Sequence, residues 1–147
     1  YHFPKSYFIW MHRDPAKTIT SYSKMIYEVQ KFYYGKNISK KDVGEYIKYN
    51  FLNMVTESMK IRKKYKINCI DINYTNLKNN PIDTLKKISS SINEEYVNTE
   101  FINRNISNLR KLKSKESYTL EEFEIDKDEI HYTFKEYINH FKIELEN

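Results

Sequence analysis

The chain opens with a run, Ser-Tyr-Phe-Ile-Trp-Met over residues 6–11, that offers apolar side chains to both faces. That pattern predicts a short strand in a parallel sheet covered on both sides. It stops at His12-Arg13-Asp14-Pro15. Asp14 is placed to cap the next helix and Pro15 to occupy its first position. The helix extends to about Tyr34 and ends at Gly35, with Ile19, Tyr22, Ile26, Val29 and Tyr33 as its apolar stripe. Ser39 is a second N-cap, ahead of a long helix to about Tyr65 that carries Val43, Ile47, Phe51, Met54, Val55 and Met59 on one face. Gly44 inside it costs about 1 kcal/mol relative to alanine.

The segment "KINCIDINY" is rich in β-branched residues and predicts a second strand over 67–73. Pro81 opens a third helix, and residues 94–112 predict a fourth with a weak stripe of Tyr96, Phe101, Ile106 and Leu109. A polar break at Ser114–Ser117 and a turn or short helix in "YTLEEFEID" follow. The closing helix carries Ile130, Phe134, Tyr137, Ile138 and Phe141. The order strand, helix, helix, strand, helices is half of an α/β fold, with short parallel strands packed by helices and a helix-rich C-terminal half.

Composition narrows the chemistry. A length of 147 residues suits one domain with one core. With 2 glycines and 3 prolines, a phosphate-cradling glycine loop is almost excluded within this segment. The single cysteine, Cys69, rules out a disulfide framework and a cysteine metal site. His131 and His140 are not one helical turn apart, so a zinc pair is not expected. No apolar stretch approaches the roughly 20 residues of a membrane span, which leads to the expectation of a cytoplasmic chain without a membrane segment. The net charge of +5 suits an anionic partner. It equally suits the Lys-, Asn-, Ile- and Tyr-rich composition of an AT-rich coding sequence, because charges of both signs are interspersed.

Arg13 marks the candidate site. The C-terminal ends of parallel strands, facing helix N-termini, are where open α/β sheets bind ligands. A guanidinium there can grip a phosphate with two parallel hydrogen bonds, beside the positive end of the following helix. Ser21 returns to the same helix face about 10 Å along the axis. Arginine and hydroxyl can therefore close on one phosphate. Arg13 can equally be a surface salt-bridge residue, and His12 a strand-end packing residue.

"FIWMHRDPAKTITSYS" resembles the 3′-phosphate-binding segment of PAPS-dependent sulfotransferases, in which a strand ends in His-Arg-Asp-Pro and a serine follows eight residues after the arginine. Arg13 and Ser21 fall on those positions. "INYTNLKNNP" resembles a second strand-end segment of the family through Tyr74, Leu77 and Pro81, with Thr75 and Asn76 in place of the usual acidic pair. The tail resembles a closing family segment through Tyr118, Leu120, Glu121 and Phe123, with Glu116 where histidine is usual and Glu124 where glycine is usual.

The resemblance implies a partial P-loop-NTPase-like sulfotransferase fold. Residues 1–147 would form the C-terminal part of one sulfotransferase domain, with the phosphosulfate loop and the catalytic base outside it. It implies 3′-phosphoadenylyl sulfate (PAPS) as sulfuryl donor, no metal, and binding of PAPS or its product PAP by Arg13 and Ser21. Tyr74 would contact the adenine or its neighbourhood. The parent enzyme would move a sulfuryl group to a hydroxyl or amine acceptor, and nucleic acid is not an expected partner. An exposed sheet edge would promote self-association. The rivals are an inactive, truncated remnant of such an enzyme and a small basic helical interaction module, to which lysines interleaved with tyrosines would suit.

Overall fold

The computed structural model describes residues 6–35, 37–93, 98–109 and 119–146. Tyr96, Glu116 and Tyr118 and the break at Ser114–Ser117 lie outside them. Two compact units divide the chain. The described residues of Tyr1–His12 and Asn68–Ser117 make one, which we call the strand unit. Those of Arg13–Ile67 and Tyr118–Asn147 make the other, the helical unit.

In the strand unit, β1 (Phe8–His12) pairs in parallel with β2 (Cys69–Asn73), Phe8 opposite Cys69 and His12 opposite Asn73. The two predicted strands are therefore present and adjacent. Parallel pairing across so long a crossover matches the α/β reading. β1 is less covered than its apolar run implies: Phe8, Ile9 and Met11 are 57, 52 and 47% exposed, and only His12 is buried. Ile72 is the buried apolar side chain of β2. Two helices follow β2. The first, α3 (Tyr74–Asn79), was not expected, and the second, α4 (Pro81–Ser91), starts at the expected proline. Of the predicted helix over 94–112, the described residues show α5 (Thr99–Leu109), and its Phe101 is exposed.

The helical unit holds α1 (Pro15–Tyr34) and α2 (Lys40–Tyr65). Local signals set their ends. The Asp14 carboxylate accepts the Ala16 N–H, Pro15 is at N1, and Gly35 closes α1 at φ 82°. Ser39 Oγ accepts the Asp42 N–H at 3.1 Å. The tail forms a 3-10 turn at Glu121–Phe123, then α6 (Lys127–Thr133) and α7 (Lys135–Phe141). The predicted closing helix is thus broken at Phe134, whose φ of −95° and ψ of 12° lie in the bridge region.

The inward face of α1 is Pro15, Ala16, Ile19 and Ser23, while Tyr22, Val29 and Tyr33 of the expected stripe stand exposed. On α2, Val43, Ile47 and Val55 are buried as expected and Met54 is not. Phe123, Ile125, Ile130, Phe134, Tyr137 and Ile143 of the tail complete the core.

Gly44 has a role beyond its helix cost. A Cβ there would lie 2.7 Å from Ile125 Cδ1, 2.9 Å from Phe123 Cβ and 3.1 Å from the Phe123 carbonyl oxygen. The missing side chain lets α2 meet the tail turn. That turn ends at Glu124 with φ 53° and ψ 37°, a left-handed conformation that costs a side-chain-bearing residue about 1 kcal/mol. This is the position at which the resembling sulfotransferase segment carries glycine. Here the strain is accepted, and the Glu124 carboxylate pairs with Lys41 at 3.0 Å on the surface.

Candidate oxyanion site at the start of α1

The site lies where α1 begins. Asp14 is fully buried, and its carboxylate has a donor on every side. Oδ1 accepts the Ala16 N–H at 2.9 Å and lies 2.9 Å from His131 Nε2. Oδ2 accepts the Glu146 N–H at 2.8 Å. The Asp14 carbonyl accepts Thr18 N–H at 3.0 Å and Thr18 Oγ1 at 3.1 Å. A buried carboxylate is tolerated only with such partners. The cap predicted from sequence is real, and it also ties α1 to α6 and to the tail. It takes up the Ala16 N–H, one of the helix N–H groups that the sequence reading left for a ligand.

Arg13 presents a planar guanidinium beside this knot. Its Nε donates to Glu146 Oε1 at 2.7 Å and an Nη donates to Glu146 Oε2 at 3.1 Å. This is the two-bond geometry that arginine makes with any oxyanion of matching width. Of the two readings of Arg13 open at the sequence level, the structure shows the ion pair, with the guanidinium held by a carboxylate of this chain. Lys127 Nζ donates to the Glu146 carbonyl oxygen at 2.9 Å. Residue 146 is thereby fixed through its N–H, its carbonyl and its carboxylate. Sequence reading missed Glu146 and weighed His131 only as half of a zinc pair, because the two stand 132 and 117 positions from Asp14 and carry no local motif.

Of the hydroxyls behind Arg13, Ser21 is exposed on α1, and Ser23 is buried with no hydrogen-bond partner for its Oγ. Ser21 is the accessible one of the two. A recess of about 270 Å³ adjoins the same stretch of helix, lined by Ala16, Lys17, Thr20, Thr119, Leu120, Glu121 and Lys127. Its rim mixes charges. The Glu121 carboxyl is held below the usual carboxylate range by a hydrogen bond from the Thr119 hydroxyl and then by its own backbone, with Lys127 adding to the effect.

Tyr74 belongs to the strand unit, as the first residue of α3 directly after β2. In that unit His12 is 1% exposed, with Nε2 2.9 Å from Asp71 Oδ1 and its ring 5.0 Å from that of Trp10. His12 is a strand-end packing residue, as expected. Among the described residues no helix is long and apolar enough to cross a membrane.

Element order and the parallel strand pair define a helix-rich α/β segment. The match to the sulfotransferase family covers residues 1–98, and the chain belongs to that family. The fold is similar to the crystal structure of sulfotransferase STF9 from Mycobacterium avium, with a TM-score of 0.72 and 19% sequence identity over 92% of this chain. The chain spans about a third of that structure, 36% of its length. No curated protein matches the chain. The tail beyond residue 98, with Glu146 and His131, lies outside the family match.

Proposed function

We propose that this chain is the nucleotide-binding C-terminal part of a PAPS-dependent sulfotransferase domain. Arg13 takes the 3′-phosphate of PAPS or PAP, Ser21 adds a hydroxyl from α1, and Tyr74 serves the adenine. One observation carries the reading: Arg13 already holds an oxyanion, the Glu146 carboxylate, through two parallel hydrogen bonds at the start of a helix. The residues present therefore fit the 3′-phosphate.

PAPS, when bound, supplies the sulfuryl group that a hydroxyl or amine acceptor receives. The residues named here bind and orient. The Arg13 charge neutralises the 3′-phosphate, and its planar fork fixes the nucleotide's rotation about that end. Asp14, Ala16 and His131 hold the start of α1, and with it Arg13, in register. The acceptor's base and the donor's phosphosulfate loop are assigned to the part of the domain beyond this chain.

Isothermal titration of the full-length protein with PAP tests the reading. Arg13→Ala should lose about 2–3 kcal/mol of binding, because a charge-assisted pair of hydrogen bonds goes. Ser21→Ala should lose about 1 kcal/mol, as a neutral hydroxyl bond does. Lys17→Ala should lose less than Arg13→Ala, since a single solvated ammonium contributes little. Equal PAP affinity in Arg13→Ala and the parent would leave Arg13 as an anchor for the tail and would sink the nucleotide assignment.

A further inference from the structure

We propose that Glu146 is an internal occupant of the Arg13 fork, which the nucleotide's 3′-phosphate must displace, so that the tail sets the affinity of the site. The inference rests on the nucleotide reading above and adds a competitor to it.

The Nε edge of Arg13 is filled by the two oxygens of one carboxylate. A phosphate presents two oxygens at a similar spacing and more charge, so both groups seek the same donors. The pair is within reach of solvent, Arg13 being 34% and Glu146 16% exposed, so a ligand can enter without unfolding the core. The part that must move is small. α7 ends at Phe141, Ile143 is buried, and the chain beyond has no regular structure, with Glu144 and Leu145 exposed. Residues 144–146 can lift away while Ile143 stays seated.

Lifting them breaks two further bonds: the Glu146 N–H to Asp14 Oδ2, and Lys127 Nζ to the Glu146 carbonyl. Asp14 keeps Ala16 and His131, so the start of α1 survives the release. The ammonium of Lys127 is then beside a recess that borders the same turn of helix. Apparent affinity falls by the fraction of molecules in which the fork is open.

Glu146→Gln removes the charge and keeps the shape. Titration with PAP on the full-length protein should show about tenfold tighter binding in this variant, which corresponds to a tail closed in about nine molecules of ten. Amide hydrogen exchange gives a second readout. PAP should speed exchange of the Glu146 amide and leave the α1 and α6 amides unchanged. If Arg13→Ala abolishes PAP binding, yet Glu146→Gln binds no tighter and the Glu146 amide stays protected with PAP bound, the competition is wrong and Glu146 merely steadies Arg13. If PAP binds neither the parent nor Glu146→Gln, or binds without regard to Arg13, the nucleotide reading falls and the competition with it.

Discussion

The two units of this chain are built on opposite terms. The helical unit closes a core: Ala16 and Ile19 of α1, Val43, Ile47 and Val55 of α2, and Phe123, Ile125, Ile130, Phe134, Tyr137 and Ile143 of the tail are all buried. Among the described residues of the strand unit, only Ile72 is a buried apolar side chain, and β1 shows Phe8, Ile9 and Met11 to solvent. Yet the two run straight into one another in sequence between His12 and Arg13. Arg13, the proposed binding arginine, therefore belongs to the well-packed side. A fork that must hold its geometry gains from a rigid support, because loose positioning forfeits charge-assisted bonds. The tail holds the start of α1 through His131, which lies 2.9 Å from the buried Asp14 carboxylate.

Removing Asp14 should produce the largest effect on stability. Asp14→Ala deletes a helix cap and strands the Glu146 N–H and His131, a combined loss of about 3 kcal/mol. Urea unfolding followed by far-UV circular dichroism measures it. Trp10, the single tryptophan, reports on the strand unit by fluorescence. A variant in which the dichroism midpoint falls and the fluorescence midpoint does not would show the units to be separately stable. Coincident shifts would show one cooperative block and weaken the contrast drawn here.

Gly44→Ala should come second. Helix propensity alone predicts a gain of about 1 kcal/mol. The added methyl, however, meets Phe123 Cβ at 2.9 Å and its carbonyl oxygen at 3.1 Å, where relief requires the tail turn to shift. Overpacking of this kind costs about 1–3 kcal/mol. The net change should be a loss of about 1 kcal/mol, read as a lower urea midpoint. A stabilised variant would mean that the turn at Glu121–Phe123 yields freely, and that the tail is a loose strap rather than part of the core.

Much of this was legible in the sequence, and the pattern of what was not is physical. Helix starts and stops are local chemistry, so Asp14, Pro15, Gly35 and Ser39 could be placed from neighbouring residues alone. Both strands were visible, β1 as an apolar run and β2 as a β-branched one, and the two do pair in parallel. Three things escaped. The buried face of α1 turns on small residues, Ala16 and Ser23, which a count of large apolar positions passes over. The split between α6 and α7 at Phe134 has no proline or glycine to mark it. The Arg13–Glu146 pair spans 133 positions, and nothing local distinguishes Glu146 from its neighbour Glu144. The arginine was recognised by its place after a strand, and its partner could only be found in three dimensions.

The smallest effect should come from the exposed side of β1. Phe8 is 57% exposed, so little of its surface leaves water when the described residues fold. Threonine keeps the β preference of a strand position. Phe8→Thr in this chain should therefore change stability by about 0.5 kcal/mol or less, as substitutions at exposed sites do. In a longer parent domain of the kind proposed above, the same substitution becomes a probe of the contrast. Burying a phenylalanine side chain is worth about 1.5–3 kcal/mol. If Phe8→Thr costs that much there and almost nothing here, the strand unit draws its missing core from contacts beyond this chain, and its thinness is a property of the segment. If the cost is small in both, the strand pair is lightly packed by nature, and the stability that holds Arg13 in place comes from the helical unit alone.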